Sequence, residues 1–272
     1  MAQVTVRARI AASRLARPAA LPGRATAAAK HVATETALVS KWLFRSKEHH
    51  NFTYNLTNRN LRHLAWWVSA VTGAPAEDCS FWIEEVLNDK ELRDHVRTAV
   101  ERSDRRGLAD IEVRIGRRAG WYATIRALKP DHVVETGTDK GLGSLVLASA
   151  ILRNGHGRLT TLDVNPAAGY LISDRYAEVT SLSIGDSVPT LRAMSQDVGV
   201  FVQDSDHSAD HEKREFTAVE PALVIGARVL SDNSHSTDSL LEWAEATGRR
   251  FLYFRETPDR HWYPGEGIGA SW

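Results

Sequence analysis

Residues 132–144, His-Val-Val-Glu-Thr-Gly-Thr-Asp-Lys-Gly-Leu-Gly-Ser, decide the fold. Val133 and Val134 run into an acid, Glu135, and then into glycines at 137, 141 and 143; an apolar helical stretch, Leu145 to Leu152, follows. A short apolar run, a tight glycine turn and a helix start are how α/β proteins build a seat for a nucleotide-like ligand. The spacing is Gly-x-x-x-Gly-x-Gly, not the Gly-x-Gly-x-x-Gly of dinucleotide sites, which argues against a nicotinamide oxidoreductase. A carboxylate two residues before the first glycine would meet ribose hydroxyls and repel a pyrophosphate, so a nucleoside is the expected ligand.

Outward from this stretch the pattern alternates. Strands are expected at Val133–Thr136, Arg158–Asp163, Val179–Ile184, Val198–Gln203, Arg228–Ser231 and Phe251–Arg255. Helices are expected at Leu145–Leu152, Ala167–Arg175, Val188–Met194, Ala209–Val219 and Ser239–Thr247. Alternation at this spacing predicts an α/β fold, a mostly parallel sheet with helices on both faces. The Gly265–Trp272 segment reads as a last strand, antiparallel to Phe251–Arg255. Upstream, a helix over Gly120–Leu128 ends at Lys129-Pro130, after a short strand at Ile111–Ile115 and a linker at Arg105–Asp110. Before these lie helices at Ala33–Phe44 and Leu61–Val71 and two more within Phe81–Val100, in which Trp66, Trp67, Phe81 and Trp82 read as packing. The expected division is a basic tail over 1–34, a helical cap over 35–110 bordering a substrate cleft or a dimer contact, and the α/β domain over 111–272. The tail holds five arginines and Lys30 but no acid before Glu35, as in organellar targeting segments or basic tails.

A chain of 272 residues with 43% apolar and 25% charged residues suits one large domain with an extension. Its formal net charge of +0 lacks the basic excess of a nucleic-acid binder. The single cysteine, Cys79, excludes an internal disulfide and fits a reducing, cytoplasmic compartment. No apolar run approaches the roughly 18 residues of a membrane span.

In an open parallel sheet, ligands sit at the carboxyl ends of the strands. Successive expected strands end at Glu135, at Asp163, at Gly185-Asp186-Ser187, at Asp204-Ser205-Asp206-His207 and at Asp232-Asn233-Ser234-His235. Packing does not ask for an acid at five strand ends in succession. Asp163, placed about 20–30 residues after the glycine turn, suits both ribose hydroxyls. Asp186 suits an adenine amino group or caps the helix near Val188. Asp204, Asp232 and Asn233 are hard oxygen ligands suited to Mg²⁺, with Asp206 an alternative or additional one. His207 beside such a centre suits a general base.

These residues resemble a known family. Glu135-Thr-Gly-Thr-Asp-Lys-Gly-Leu-Gly-Ser144 and Leu162-Asp163-Val-Asn-Pro166 are similar to the S-adenosylmethionine site of class I methyltransferases. Asp204-Ser-Asp-His207, Ser231-Asp232-Asn233 and Gly185-Asp-Ser-Val-Pro-Thr-Leu191 resemble the motifs of divalent-metal-dependent O-methyltransferases of the catechol and caffeoyl-CoA type. The likeness covers residues 120–272. It implies a Rossmann-like sheet with an antiparallel last strand and a helical N-terminal cap. It also implies S-adenosylmethionine held by Glu135, Gly137, Thr138, Gly141, Gly143, Asp163, Asp186 and Asp204, with Mg²⁺ or a similar ion on Asp204, Asp232 and Asn233. His207 stands where catechol enzymes carry lysine. A histidine there, with Val-Val-Glu-Thr-Gly-Thr138, is more similar to bacterial macrolide-sugar O-methyltransferases and cephalosporin hydroxylase-like proteins, which implies a glycosylated natural product or a methylated polysaccharide of the methylmannose type as the setting. Ile225-Gly-Ala227 departs from the usual Pro-Gly-Gly. The implied reaction is methyl transfer to a saccharide hydroxyl with His207 as base; Asp206, His235, Trp262 and Tyr263 are the acceptor-side candidates, the last two by stacking on a sugar ring or by lid packing. A phenolic acceptor and a non-catalytic binding protein on the same fold are the other readings. The expected partner is a small molecule or oligosaccharide, without nucleic acid or membrane, and a homo-oligomer through the cap is the open alternative to a monomer.

Overall fold

The computed structural model describes residues 16–48, 52–107 and 111–272. They fall into two compact units: the segment up to Ser46 with Arg260–Trp262, and Lys47–Asp259 with Tyr263–Trp272. In the first unit a helix, α1 (Leu21–Arg45), runs unbroken through residues 34 and 35, with Pro22 in its first turn, where no backbone donor is needed. Its described side chains are not buried, and Trp42 lies 4.9 Å from Trp262 between ring centroids.

The second unit is built on a seven-stranded sheet: β1 (His132–Thr136), β2 (Arg158–Asp163), β3 (Thr180–Ile184), β4 (Val198–Gln203), β5 (Leu223–Ser231), β6 (Phe251–Arg255) and β7 (Gly267–Ser271). Their order is β3-β2-β1-β4-β5-β7-β6. The first five are parallel, and β7 inserts antiparallel between β5 and β6. This is the Rossmann-like methyltransferase sheet expected from the sequence. Every residue of β1 is buried. Alternation sends its neighbours to opposite faces. Val133 joins the core formed with α2 (Asn58–Thr72), α3 (Ala76–Leu87), α4 (Lys90–Arg102), α5 (Arg118–Leu128) and α6 (Leu142–Asn154). Val134 joins the smaller core of Phe201, Phe216 and Trp243, under α8 (Ser187–Arg192), α9 (Ala209–Val219) and α10 (Ser239–Ala246). Thr57 and Asp89 cap α2 and α4 through their side chains.

Three expectations fail. Of the aromatics expected to pack, Trp66 and Phe81 are largely exposed, on the outer faces of α2 and α3. Ile111–Ile115 forms no strand: Val113 and Ile115 are buried in the helical layer, and the edges of the sheet are β3 and β6. Residues 167–171 are turns, 172–173 are irregular, and only α7 (Asp174–Glu178) is helical. The cause is a tertiary contact. Gly169 donates its N–H to the Asp139 carbonyl at 2.7 Å and Leu171 to that of Lys140 at 3.0 Å, so this backbone bonds to the glycine turn instead of to itself. Of the expected linker, Arg105–Gly107 are turns and residues 108–110 lie outside the described residues. Among the described residues no helix is long and apolar enough to cross a membrane.

Candidate active site at the carboxyl rim

Where β1 and β4 part at their carboxyl ends lies a cleft of about 610 Å³. The glycine turn (Gly137 to Lys140, with Gly143), Asp163, Ser187, Asp204 to His207, His211, Asp232, Asn233 and Glu266 line it, together with Arg117 and Arg118.

The side formed by β1 to β3 is largely satisfied by the protein itself. Gly137 has φ +90°, and a Cβ there would stand 1.9 Å from the Asp204 carbonyl oxygen, so the bare backbone lets β4 end beside the turn. A Cβ on Gly143 would meet Glu135 Oε1 at 2.5 Å, so α6 can start directly over that acid. Gly141, the residue before α6, faces Ile172 and does not border the cleft. Glu135 is fully buried beneath the turn, where its Oε2 accepts from the hydroxyls of Ser144 and, at 2.7 Å, Thr161. Burial pushes this carboxyl up to about 7 against the pull of those hydroxyls. It is not among the residues that line the cleft, but its Oε1, against Gly143, is buried without a hydrogen-bond partner among the described residues. Thr138 does line it, with Oγ1 bonded to Thr161 at 2.6 Å. Asp163 also borders the cleft while accepting the N–H groups of Asp139 and Asn165, both at 2.8 Å. Asp186 is exposed and caps α8 through the N–H of Val188 at 3.0 Å, the second of its two readings.

The side formed by β4, β5 and β7 is different. Asp204, His207 and Asp232 each bring a ligand atom within 4.8 Å of the others. Asp232 Oδ1 and Asn233 Oδ1 are buried with no hydrogen-bond partner among the described residues. Burial, then the charge of Asp232, push the Asp204 carboxyl well above the usual carboxylate range. Burial would raise Asp232 too, but the Arg117 and Arg118 guanidinium groups and a hydrogen bond with Asp204 together outweigh it and hold that carboxyl at about 2. Arg117 is buried among three acids: it bonds Asp232, reaches Glu266 at 3.0 Å and stands 3.8 Å from Glu256. Burial pushes Glu256 up to about 7 despite this arginine. Arg118 stands 3.5 Å from Asp204, and its guanidinium lies 5.4 Å from the Trp121 ring centroid.

Nε2 of His207 lies 3.9 Å from Asp204 Oδ1, and its Nδ1 lies 3.6 Å from Glu212 Oε1. Asp206 borders the cleft but turns its carboxylate to the N–H of Ser208 at 2.8 Å, which lowers its pKa, and it stands outside the Asp204–His207–Asp232 cluster. His235 lines a separate hollow of about 310 Å³ with Phe251 and Tyr253. Tyr263 packs on Phe52 at 4.8 Å between ring centroids, and Trp262 belongs to the unit that holds α1; neither lines the cleft.

Arg117, Arg118, Glu256, Glu266 and Glu212 were not singled out from the sequence. One signal was there: two arginines opening α5, where the helix dipole favours acids, imply compensating acids nearby.

Residues 134–234 match the family model described as a methyltransferase domain. That segment holds the glycine turn, Asp163, Asp204, His207 and Asp232, and its likeness to a methyltransferase domain weighs against the oxidoreductase reading. The fold is similar to that of a cofactor-bound protein from MTB (Rv0187), at 16% identity over 71% of this chain and 94% of that one, with a TM-score of 0.56. It is also similar to the O-methyltransferase TomG from Streptomyces achromogenes, which is involved in tomaymycin synthesis and was crystallised with S-adenosylmethionine. That match has 19% identity over 68% and 89% of the two chains and a TM-score of 0.50. At such identities the likeness is one of fold. No curated protein sequence matches the chain.

Proposed function

We propose that this protein is an S-adenosylmethionine-dependent O-methyltransferase that uses Mg²⁺ or a similar divalent ion and methylates a saccharide hydroxyl, with His207 as general base. One observation carries the reading. Around the cleft the acids Asp204, Asp232, Glu256 and Glu266 stand against two guanidinium groups, Arg117 and Arg118, and the buried Oδ1 atoms of Asp232 and Asn233 lack partners. The orphaned oxygens are the hard donors a divalent cation prefers, and its charge beside Asp204 and Asp232 would let both carboxyls ionise together. Asp204, Asp232 and Asn233 would hold the ion.

When bound, the sulfonium cofactor supplies an already electrophilic methyl group, and the ion supplies positive charge that favours ionisation of an acceptor hydroxyl. The chain's own residues do the rest. The backbone of Gly137 to Asp139 offers the seat, Asp163 keeps acceptor capacity for ribose hydroxyls, and Arg118 is the cation available for the cofactor's carboxylate. Two histidines line the cleft, and their partners separate them. His211 lies 3.1 Å from Glu215 through Nε2 and 3.0 Å from Arg214 through Nδ1, so both its nitrogens are engaged. His207 keeps a nitrogen toward Asp204 and the cleft. A sugar acceptor fits the ionic walls better than a phenol, because Phe52 is the one aromatic side chain along the cleft among the described residues.

Turnover of labelled S-adenosylmethionine over a panel of sugars and phenols tests the assignment. Chelation with EDTA should abolish turnover and Mg²⁺ should restore it. His207→Ala should lower kcat about 100-fold or more while leaving S-adenosylhomocysteine affinity within about twofold. Activity that survives full chelation removes the ion. Methylation confined to phenols replaces the acceptor class.

A further inference from the structure

We propose that Glu212 is the positioning residue of the base: it fixes the tautomer and orientation of His207 so that Nε2 presents its lone pair to the acceptor. The inference rests on the reading of His207 as general base.

Glu212 lies in α9, five residues after His207, and is 1% exposed. Its two oxygens are used differently. Oε2 accepts from the hydroxyl of Thr237, in the segment that follows Asp232 and Asn233. Oε1 has no hydrogen-bond partner among the described residues and points to His207 Nδ1, 3.6 Å away, a nitrogen that is itself buried and unpartnered. A buried carboxylate oxygen and a buried ring nitrogen left unpaired each carry a desolvation cost. A small rotation of the imidazole joins them and removes both costs, and catalytic hydrogen bonds are commonly long before ligands bind. The opposite ring edge, Nε2, faces Asp204 Oδ1 at 3.9 Å. The ring is therefore bracketed, with a carboxylate behind it and the cleft in front.

The neighbouring pair gives the contrast. Glu215, one turn further on, is saturated: it accepts from Thr136, Ser187 and Ser205 and meets His211. That acid ties strand ends together. Glu212 keeps one oxygen in reserve for the imidazole that faces the chemistry. With Nδ1–H given to Glu212, Nε2 takes the acceptor's proton as the acceptor oxygen bonds the methyl carbon. The carbon–sulfur bond breaks with its electron pair going to sulfur, leaving the neutral thioether. The imidazolium so formed faces a fixed negative charge.

The test uses the full chain labelled with ¹⁵N-histidine. In the wild type, ¹⁵N spectra should show neutral His207 as the Nδ1–H tautomer, assigned by the signal lost in His207→Ala. Glu212→Gln and Glu212→Leu should shift His207 toward the Nε2–H form. They should also lower kcat about 10- to 100-fold on the best acceptor of the panel, with KM and S-adenosylhomocysteine affinity within about twofold. Thr237→Val removes the other bond of Glu212 and should leave kcat within about threefold; a loss equal to that of Glu212→Gln would make Glu212 a mere fastener of that segment. Unchanged kcat in Glu212→Gln, or a fall in kcat without a change of tautomer, overturns the proposal. If the Glu212 variants do not fold, a wild-type His207 found in the Nε2–H form overturns it alone. Full turnover in His207→Ala is a different failure, that of the base itself.

Discussion

The two halves of the rim carry similar residues to opposite ends. On β1 to β3 the acids are met by neutral donors of their own chain: Glu135 Oε2 by two hydroxyls, with its Oε1 left unpartnered, Asp163 by two backbone N–H groups, Asp186 by the first turn of α8. On β4 and β5 the carboxylates are held by guanidinium groups, with buried oxygens left over. An acid held by hydroxyls and backbone N–H groups of its own chain shapes the site. An acid compensated by charge but short of hydrogen bonds is poised for a ligand, because an unpaired buried oxygen is tolerated only where something else will meet it.

That contrast can be broken at several points. The largest effect should follow Arg117→Met, which leaves Asp232, Glu256 and Glu266 without their common counter-charge. A loss of about 3–5 kcal/mol in urea unfolding is expected. A loss under about 1 kcal/mol would mean that the acids need no compensation and that the two halves do not differ in kind. The next effect belongs to Glu135. Its folded pKa of about 7 lies above the ordinary 4.5, so its contribution to stability is fully present below pH 4.5 and is lost as pH rises through 7. Glu135→Gln should flatten the stability profile between those values by up to about 3 kcal/mol. An unchanged profile would show that the hydroxyls already hold the carboxylate ionised. The smallest effect should be that of Asp186→Ala: about 1 kcal/mol for a lost cap, with S-adenosylhomocysteine affinity in calorimetry within about twofold. A tenfold loss of affinity would return Asp186 to the cofactor.

Much of this was legible in the chain. β1 to β4 and β6 were expected within a residue or so; for the buried parallel strands β1 and β4 the reason is that such a strand must be an apolar run with a polar end. Residues 167–173 were misread as helix, since apolar spacing does not show that a backbone will bond to a turn some 30 residues earlier in the chain. Among site residues, Asp204, His207, Asp232 and Asn233 were found by their positions at strand ends, and they meet. Glu135 was found by the same rule and proves to lie beneath the cleft, because Gly143 lets α6 settle over it. His235 follows a strand end as closely as Asn233 does, yet the backbone of Asn233, at φ +51°, turns the chain and sends His235 to another hollow.

The sequence by itself determined the sheet, the glycine turn and the row of acids at its carboxyl rim, since periodicity and turn chemistry are local. Only the tertiary structure decided which acids remain available. Arg117 precedes Asp232 by 115 residues, and Glu266 stands immediately before β7, the strand that inserts between β5 and β6. Charge compensation depends on distance through space, and no spacing along the chain encodes it.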